Sequence, residues 1–547
     1  MKVDNVNQGY RSINRLLLIQ LAPYIALLLW TLPLLVLNSQ QQSLMAFDEV
    51  HYAGRARLMI ESGNWINPWL EPHHKTPGYY WLVAASFQLF GITENAARFP
   101  NLISGLIATF LIYEIGKLLF NNKVGFLAAL VLSTQFIWMQ YTRLSAPDVP
   151  LVLLVMAGIF SLLKAESSSS KGAWHFLAGI SFGLGFFIRS YVSFLPIVAL
   201  IPYLVLENRR HKHLNSSLLY LGFIFGLSPT IIWLLLEWTN YQVSSFRRLF
   251  DFTVSLTTKD RHDGGWHYYL WNIPLNSFPW SIFAISGMVL VGKKSRFKQK
   301  LLCLGYPLFL LLEISFVGTR TPRYSLTMYP FLALNAGVSL AWLQQIYVKQ
   351  GDARKYWVRG LSYFFSGLGG LLIILSLLRS RIIVAVPDAE EYLSDRVGYA
   401  VLILGLAWLS VAFIFHFKKG WQGAQYWLAT LLIGPWLTLM IFSSTGLLSN
   451  YNAEIKSFIE KDEVSQILQN NRINFISVEG EFANKRLLNF YTPVIGEYYD
   501  AFQQVAQESY VWAKVEPENL ALIEQCQVVG DVRSWKLVYV DNGCNQQ

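Results

Sequence analysis

Long apolar segments recur along the chain, separated by short polar stretches. A helix needs about 20 predominantly apolar residues to cross a bilayer, so runs of about 15 to 24 apolar residues indicate membrane spans. The pattern predicts thirteen spans, at 16–37, 97–119, 124–141, 149–165, 173–189, 192–206, 216–238, 273–292, 301–318, 324–346, 357–378, 398–416 and 424–446. The apolar stretch 79–90 is too short to cross, and we expect an interfacial helix there.

Basic residues in the short loops decide the predicted orientation. With the N-terminus in the cytoplasm, the Lys/Arg-containing loops face the cytoplasm, as the positive-inside rule requires. These loops are 117–123, 164–171, 209–213, 293–300, 349–359 and 418–419. Counting 79–90 as a span would reverse every later loop. The remaining charged segments and the C-terminus are therefore predicted to lie on the extracytoplasmic face.

Composition agrees with a polytopic membrane protein, since 53% of the 547 residues are hydrophobic and only 14% are charged. The formal net charge of +10 is spread over short loops rather than gathered in one stripe, which favours orientation and anionic lipid over nucleic acid. ATP hydrolysis and zinc proteolysis have no motif support, because the sequence contains no Walker loop, HExxH or Cys-x-x-Cys pattern. Serine hydrolysis has none either, because the GxSxG string at 179–183 lies inside the predicted span 173–189 and not at the strand-to-helix elbow that this chemistry needs.

The composition changes after Gly446. Segment 447–547 is polar, with helix-like IKSFIEKDEVSQILQ and strand-like INFISVEG and WKLVYV. This pattern predicts a small extracytoplasmic α/β domain after a membrane domain at 1–446. Cys526 and Cys544 could pair if this end lies outside the cytoplasm, or could stay as free thiols.

Between two apolar segments, Phe47–Trp81 gathers an unusual density of charged and aromatic residues. Asp48 and Glu49 have two interpretations: an N-cap and first-turn acid of an interfacial helix, or a general base at the bilayer surface. Lys75 is either a snorkelling anchor or a ligand of a lipid phosphate. His74 is a candidate for a divalent metal.

Further charged residues on the predicted outer face are candidates for the same site. Asp148 either caps the helix that follows it or is a second acid. Arg189 interrupts an apolar hairpin, where an arginine is costly unless it is paired or hydrated. The loop carrying Arg247, Arg248, Arg261 and His267 is either a mobile lid or an interfacial helix. A later turn brings Arg323 and Tyr324 to the same face.

Several of these stretches together resemble the protein mannosyltransferase and aminoarabinose transferase superfamily. The similar motifs are Asp48-Glu49, Lys75-Thr76-Pro77-Gly78-Tyr79-Tyr80-Trp81, Ala97-Arg98-Phe99-Pro100, Asp148 and the Arg323-Tyr324 turn. The likeness covers about the first 340 residues. The chain departs from the pattern at His74, where an acid is usual, and at Arg189-Ser190, where Lys-Gly is usual.

The resemblance implies a GT-C type fold: an α-helical polytopic membrane protein, here with a small C-terminal α/β domain. It implies an inner-membrane glycosyltransferase that moves a sugar, with inversion, from a polyprenyl-phosphate carrier to an extracytoplasmic acceptor. The acceptor is expected to be a lipid or glycolipid. A protein acceptor is the alternative within the enzyme class, and a lipid or sugar transporter is the alternative outside it.

The resemblance also implies roles for individual residues. Asp48, Glu49 and Asp148 would be catalytic, and a divalent metal would be bound by Asp148 and His74, without any nucleotide cofactor. The residues implied to bind the substrate are Lys75, Tyr79, Arg189, Arg247, Arg248, Arg261, His267, Arg323 and Tyr324. The sugar, the exact acceptor and the oligomeric state are not indicated by the sequence.

Overall fold

The computed structural model describes most of the chain and divides it into two compact units. The described residues are 20–69, 73–242, 244–258, 265–349, 351–385, 394–476, 482–517, 519–541 and 544. The larger unit comprises Met1–Ser39, Leu70–Tyr79 and Phe99–Leu448. The smaller unit comprises Gln40–Trp69, Tyr80–Arg98 and Ser449–Gln547. The smaller unit thus extends the domain predicted at 447–547 by two segments from the start of the chain.

Helices dominate the described residues. Among them, nine segments have the length and apolarity needed to cross a membrane: Glu94–Leu119, Asp148–Ala165, Lys171–Ala199, Ser217–Tyr241, Phe297–Phe316, Pro322–Val348, Lys355–Leu377, Asp395–Phe417 and Gly420–Thr445. Two helix pairs pass the same test together but are bent, Asn122–Ser133 with Phe136–Thr142 by 68° and Tyr268–Asn276 with Trp280–Lys294 by 109°. Gln20–Val36 is apolar but shorter.

Each predicted span therefore has a helical counterpart among the described residues, although several of these counterparts are bent, short or interrupted. The predicted span 192–206 is broken into a 3₁₀ turn, Ser190–Ser193, and two short helices, Phe194–Ala199 and Ile201–Leu206. Ser190 adopts a positive φ of 53°, which ends the preceding helix. Pro196 and Pro202 then each remove a backbone donor. The remaining described helices are Asp48–Ser62, Gly78–Phe90, Asn208–His211, Ser244–Thr258 and Arg379–Ala385.

The larger unit is held by one extensive apolar core. Its fully buried side chains include Trp138, Trp280, Trp408 and Trp427. Lys171–Arg189 and Ser217–Tyr241 approach closely, because each carries a Gly-x-x-x-Gly pair and a Cβ at any of the four glycines would overlap the main chain of the facing helix. Small residues at this spacing allow helix backbones to pack in a membrane, where the hydrophobic effect does not drive their association.

The smaller unit contains a mixed five-stranded sheet in the order β2-β1-β3-β5-β4. The strands are β1 Ile473–Ile476, β2 Ile495–Tyr499, β3 Ser509–Lys514, β4 Gln527–Val532 and β5 Trp535–Val540. β1 pairs in parallel with β2 and β3, while β5 is antiparallel to β3 and β4. The helices of this segment are Ala453–Ile459, Asp462–Asn470, Phe482–Tyr491 and Leu520–Glu524. The predicted α/β character of this segment is confirmed.

A disulfide joins Cys526 and Cys544, whose Cα atoms lie 4.8 Å apart. It closes the C-terminal end against the core of the sheet, where both cysteines are buried beside Val538 and Val540. Of the two alternatives left open by the sequence, the structure contains the paired one. Cys303 is buried and unpaired in the larger unit.

Candidate functional site

Helix Asp48–Ser62 carries the first acidic pair in the smaller unit. Asp48 is half-buried at the first residue of the helix, where the helix dipole stabilises its negative charge. Glu49 is completely buried, and its two carboxylate oxygens accept from Arg98 at 2.8 Å each. Glu49 Oε2 also accepts from the main-chain N–H of Met45 at 2.9 Å. These contacts support a structural role for Glu49, and the catalytic role predicted for it stays a prediction.

Arg98 is the residue that organises the start of the smaller unit. Besides Glu49, its guanidinium donates to the carbonyl oxygens of Gln42, Ser43 and Ser449 at 3.0, 2.8 and 3.1 Å. The buried guanidinium of Arg98 therefore links the segment before Asp48 to the start of the C-terminal segment at Ser449. The Ala-Arg-Phe-Pro motif was the only sequence signal for this residue, and it carried no assigned role.

A second buried arginine, Arg57 of helix Asp48–Ser62, supports the C-terminal segment. The Arg57 guanidinium donates to the carbonyl oxygens of Asn489, Phe490, Thr492 and Pro493 at 2.7 to 3.0 Å. These bonds satisfy carbonyl groups at the end of helix Phe482–Tyr491, which lack partners within the helix. Helix Asp48–Ser62 and the chain around residue 490 are thereby fixed against each other within the smaller unit.

Asp148 and Arg189 form a buried ion pair in the larger unit. Arg189 Nη2 lies 3.0 Å from Asp148 Oδ1, with the side chains 10% and 5% exposed respectively. Asp148 begins helix Asp148–Ala165, and Arg189 ends helix Lys171–Arg189. Within the described residues, Asp148 Oδ2 is buried without a hydrogen-bond partner. An acceptor of this kind remains available to a ligand.

Arg323 and Tyr324 share a small cleft with Asp148. The cleft is lined by Asp148, Leu151, Val152, Val192, Leu195, Pro196, Arg323, Tyr324, Leu326 and Thr327. The 3₁₀ segment Pro322–Met328 brings Arg323 and Tyr324 to this position. Four residues that are far apart in the sequence, Asp148, Arg189, Arg323 and Tyr324, are thus brought together in the larger unit.

The segment that contains Lys75 docks on the end of helix Lys171–Arg189. Thr76 Oγ1 donates to the Phe186 carbonyl at 3.2 Å and lies 3.0 Å from Ser190 Oγ, while Ser190 Oγ accepts from Thr76 N–H at 3.2 Å. Gly78 is required by this packing, because a Cβ there would lie 2.5 Å from the Phe187 carbonyl oxygen. Lys75 is half-buried. Because its neighbour Thr76 is hydrogen-bonded to Phe186 and Ser190, Lys75 is held close to the end of the helix that carries Arg189.

Tyr79 is buried within the larger unit. Its hydroxyl donates to Asn101 Oδ1 at 2.9 Å and lies 3.0 Å from Ser145 Oγ, and the side chain is 1% exposed. Asn101 in turn donates to the Ala146 carbonyl at 2.7 Å. Tyr79 therefore supports the loop before Asp148, and the substrate-binding role predicted for it stays a prediction.

The basic segment after residue 240 contains the helix Ser244–Thr258. Arg247 is 80% exposed beside Asp251, Arg248 is also exposed, and Arg261 lies outside the described residues. The Phe252 ring of this helix packs against His74 with ring centroids 4.7 Å apart. His267 is exposed after Gly265, which adopts a positive φ of 59°. Helix Ser244–Thr258 thus contacts the segment that contains Lys75 through the rings of Phe252 and His74.

A metal site is not assembled by the described side chains. No three His, Cys, Asp or Glu residues among them converge in a way that could hold an ion. Asp148 Oδ1 accepts from Arg189, and the His74 ring lies against Phe252 and His73. The metal predicted at Asp148 and His74 stays a prediction.

Comparisons with known proteins give a consistent result. The family model described as dolichyl-phosphate-mannose-protein mannosyltransferase matches residues 74–235, which include Lys75, Asp148 and Arg189. An undecaprenyl phosphate-alpha-4-amino-4-deoxy-L-arabinose arabinosyl transferase of Edwardsiella ictaluri is 26% identical over 406 residues, 71% of this chain and 70% of the relative. The enzyme of the same name from Aeromonas hydrophila is 25% identical over 428 residues, 74% and 76% of the two chains.

The fold also matches solved structures. ArnT from Cupriavidus metallidurans bound to undecaprenyl phosphate superposes with a TM-score of 0.73 at 17% identity, covering 95% of this chain and 98% of the other. The apo state of the same protein gives a TM-score of 0.70. At this level of identity, the match establishes the architecture of the chain.

Proposed function

Because this chain belongs to the GT-C glycosyltransferases, in the group of protein mannosyltransferases and aminoarabinose transferases, we propose that it passes a sugar from a polyprenyl-phosphate carrier to a lipid or glycolipid acceptor. The chain is a polyprenyl-phosphate-sugar-dependent membrane transferase. The observation that carries the proposal is the buried Asp148–Arg189 pair, which shares its cleft with Arg323 and Tyr324.

A phosphate leaving group is stabilised by nearby positive charges. As the bond between the sugar and the carrier breaks, negative charge develops on the phosphate, and preorganised donors lower the barrier most where this charge appears. Arg189, Arg323 and Lys75 carry positive charge on segments of the larger unit that surround Asp148. Arginine is suited to this role because its planar fork can bind a phosphate through two parallel hydrogen bonds.

Asp48 is proposed as the base that takes the proton of an acceptor hydroxyl, or orients an acceptor that is already ionised. It is half-buried at a helix start, whereas its neighbour Glu49 is closed off by Arg98. Attack from the face opposite the phosphate would invert the anomeric carbon. Asp148, with one oxygen oriented by Arg189, is proposed as the second acid, and a divalent metal would use its other oxygen if one takes part.

The reaction is proposed to occur outside the cytoplasm. The basic loops between the spans favour a cytoplasmic position for the helix ends that they connect, and hence an extracytoplasmic position for the other ends. The Cys526–Cys544 disulfide supports an extracytoplasmic C-terminus, since structural disulfides persist in oxidising compartments. A sugar carried on a lipid phosphate suits that side, because no nucleotide sugar is needed there.

Transfer from purified undecaprenyl-phosphate-linked sugars to cell-envelope lipid, measured in detergent, tests the proposal. We expect wild type to consume donor and label lipid, and Asp48→Asn, Asp148→Asn, Arg189→Gln and Lys75→Ala each to lower kcat/KM about 100-fold or more, as is typical for lost electrostatic stabilisation. Arg472→Gln, an exposed arginine of the smaller unit, is the matched control and should transfer normally.

The combination Asp148→Asn with Arg189→Gln separates a functional pair from two independent charges. If the pair acts as a unit, the double variant should be little worse than either single variant. If folded wild type binds the lipid carrier but consumes no donor, and the single variants behave like it, the transferase proposal is overturned.

A further inference from the structure

The loop that leads into Asp148 is buried, although it contains no helix or strand. It runs from Arg143 to Pro147, between helices Phe136–Thr142 and Asp148–Ala165 of the larger unit, and each of its residues is buried. Loops normally run over the surface, because buried main-chain polar groups must find partners within the protein. This buried loop therefore depends on hydrogen-bonding side chains in its surroundings.

Asn101 holds one side of the loop. It is completely buried in helix Glu94–Leu119, in the part of that helix that belongs to the larger unit. Its Nδ2 atom donates to the carbonyl oxygen of Ala146 at 2.7 Å and to that of Tyr141 at 3.3 Å. Both hydrogens of this amide group are thus used on the main chain before Asp148.

The other end of the same amide reaches the segment that contains Lys75. Asn101 Oδ1 accepts from the Tyr79 hydroxyl at 2.9 Å. Because the Tyr79 proton is used in this way, its oxygen can accept from Ser145 Oγ, which lies 3.0 Å away. The Asn101 side chain therefore joins two segments of the candidate site that are far apart in the sequence.

A glycine permits the close approach that these hydrogen bonds need. Gly105 lies one turn after Asn101 on the same helix, and a Cβ there would lie 2.2 Å from Cγ2 of Thr142. Thr142 is the last residue of the helix before the loop. The helix that carries Asn101 is thus in direct contact with the start of the loop.

Arg143 holds the opposite side of the loop. Its guanidinium is buried and donates at 2.7, 2.8 and 2.8 Å to the carbonyl oxygens of Leu34, Leu35 and Leu37. These carbonyl groups lie at the C-terminal end of helix Gln20–Val36, where partners within the helix are missing and a positive charge is favoured. The loop is therefore fixed from two sides by buried side chains.

We propose that Asn101 is a positioning residue that fixes Asp148 relative to the segment of Lys75. Asp148 is the first residue of helix Asp148–Ala165, directly after the loop, so the place of its carboxylate follows the main chain at Ala146. A misplacement of about 1 Å caused far from the reacting atoms can lower a rate about 100-fold. The inference rests on the proposed function, because Asn101 acts through Asp148.

Asn335 offers a matched control. It is also completely buried in the larger unit, and its Nδ2 atom donates to the carbonyl oxygens of Cys303 and Phe331 at 2.8 and 2.9 Å. It lies on helix Tyr329–Val348 and does not line the candidate site. Asn101→Ala and Asn335→Ala each remove two hydrogen bonds to main-chain carbonyl groups, so both should lower the thermal unfolding temperature.

The kinetics of transfer from undecaprenyl-phosphate-linked sugar, per folded enzyme in detergent, distinguish a positioning role from a structural one. Asn101→Ala should lower kcat about tenfold or more while the KM for the donor changes less than about twofold, because the loss falls on the transition state. Asn335→Ala should keep the kcat of wild type. Equal kcat values for Asn101→Ala and Asn335→Ala would overturn the proposal.

A double-mutant cycle tests whether Asn101 acts through Asp148. In the Asp148→Asn background, Asn101→Ala should lower kcat by less than about threefold further, since residues that act as a unit are not additive. The same factor in both backgrounds would overturn the proposal. If Asp148→Asn leaves no measurable transfer, the comparison with Asn335→Ala decides.

Ser145→Ala is the milder variant, to be used if Asn101→Ala does not fold. It removes the hydroxyl group next to Tyr79 but keeps both bonds from Asn101 to the main chain, and it should lower kcat about two- to tenfold, the typical effect of one neutral hydrogen bond. An unchanged kcat in folded Ser145→Ala would then overturn the proposal.

Wild type separates this proposal from the proposed function. If folded wild type transfers no sugar, the proposed function is rejected and the role of Asn101 is rejected with it. If wild type transfers sugar and folded Asn101→Ala does so equally well, the positioning role alone is rejected.

Discussion

At the scale of single residues, the adjacent carboxylates Asp48 and Glu49 are separated by their surroundings. Glu49 is fully buried and engaged by Arg98, whereas Asp48 is half-buried at the helix start. Removing one member of a buried ion pair leaves the other charge uncompensated, which costs about 3–5 kcal/mol. We therefore expect Glu49→Gln to lower the thermal unfolding temperature strongly.

Asp48→Asn should show the opposite behaviour, with the unfolding temperature nearly unchanged and the transfer rate lost. The two measurements on two neighbouring positions serve as controls for each other. Equal loss of stability in both variants would contradict the division of roles between them.

A cluster of histidines at the other end of the larger unit predicts a pH dependence of stability. His213 is fully buried, with its Nδ1 atom 2.8 Å from His175 Nε2 and its ring stacked on His211 at 3.8 Å. Burial, followed by repulsion from the neighbouring histidines and Lys298, lowers the pKa of His213 to about 2. In the unfolded chain its pKa returns to about 6.5.

The sign of the effect follows from proton uptake on unfolding. Below pH 6.5 the unfolded state binds a proton that the folded state excludes, so stability is full above this pH and falls by up to about 1.4 kcal/mol per pH unit below it. The unfolding temperature in detergent should decrease accordingly, and His213→Gln should flatten this decrease. His267→Gln, at an exposed position, should not. An identical acid profile for His213→Gln and wild type would contradict the prediction.

The sequence could not distinguish the surroundings of Asp48 from those of Glu49, because both are acids at the start of one helix. Their difference arises from Arg98, which is 49 residues away in the sequence. A substrate role for Tyr79 was implied by the resemblance, and its burial against Asn101 and Ser145 depends on tertiary packing that no local pattern encodes. Asp148 and Arg189 could be identified as costly charges, but their pairing could not.

At the scale of elements, apolar length identified the position of each span, whereas interruptions within a span were harder to detect. Pro279 lies within the break at the 109° bend between Tyr268–Asn276 and Trp280–Lys294 and offered a local signal for it. The 68° bend after Ser133 occurs at Thr134-Gln135, which contains neither proline nor glycine. It is fixed by contacts such as the hydrogen bond from Trp280 Nε1 to the Thr134 carbonyl, which sequence periodicity does not reveal.

The docking of the Lys75 segment onto helix Lys171–Arg189 depends on the absence of a side chain at Gly78. A Cβ at this position would lie 2.5 Å from the Phe187 carbonyl oxygen, a main-chain atom that cannot move aside alone. We expect Gly78→Ala to destabilise the protein by about 1–3 kcal/mol, as is typical of overpacking, and to lower the transfer rate by displacing Lys75.

Gly360→Ala is the matched control, because Gly360 is also helical but a Cβ there meets nothing within 4 Å. It should be neutral or slightly stabilising. Thermal unfolding together with the KM for the lipid-linked donor checks both variants. If Gly78→Ala behaves like Gly360→Ala, the docked conformation of the Lys75 segment is wrong.

At the scale of the whole molecule, the two compact units differ in their chemistry. The larger unit carries most of the membrane-length helices and the Asp148–Arg189 pair, while the smaller unit carries the sheet and the disulfide. The proposed reaction uses the outer ends of the spans, and the C-terminal segment is predicted to face the same compartment. The positive-inside pattern and the disulfide both support that arrangement.

This orientation predicts which surfaces are reachable from outside the cell. Glu497 is exposed on β2, and Ser169 is exposed in the serine-rich loop before Lys171–Arg189. We expect a membrane-impermeant maleimide to label Glu497→Cys on intact spheroplasts, and to label Ser169→Cys only after permeabilisation. Both variants keep Cys526 and Cys544 paired, so the introduced thiol is the one that reacts. Labelling of Ser169→Cys alone on intact spheroplasts would invert the topology, and Asp48 would then lie on the side opposite to the proposed acceptor.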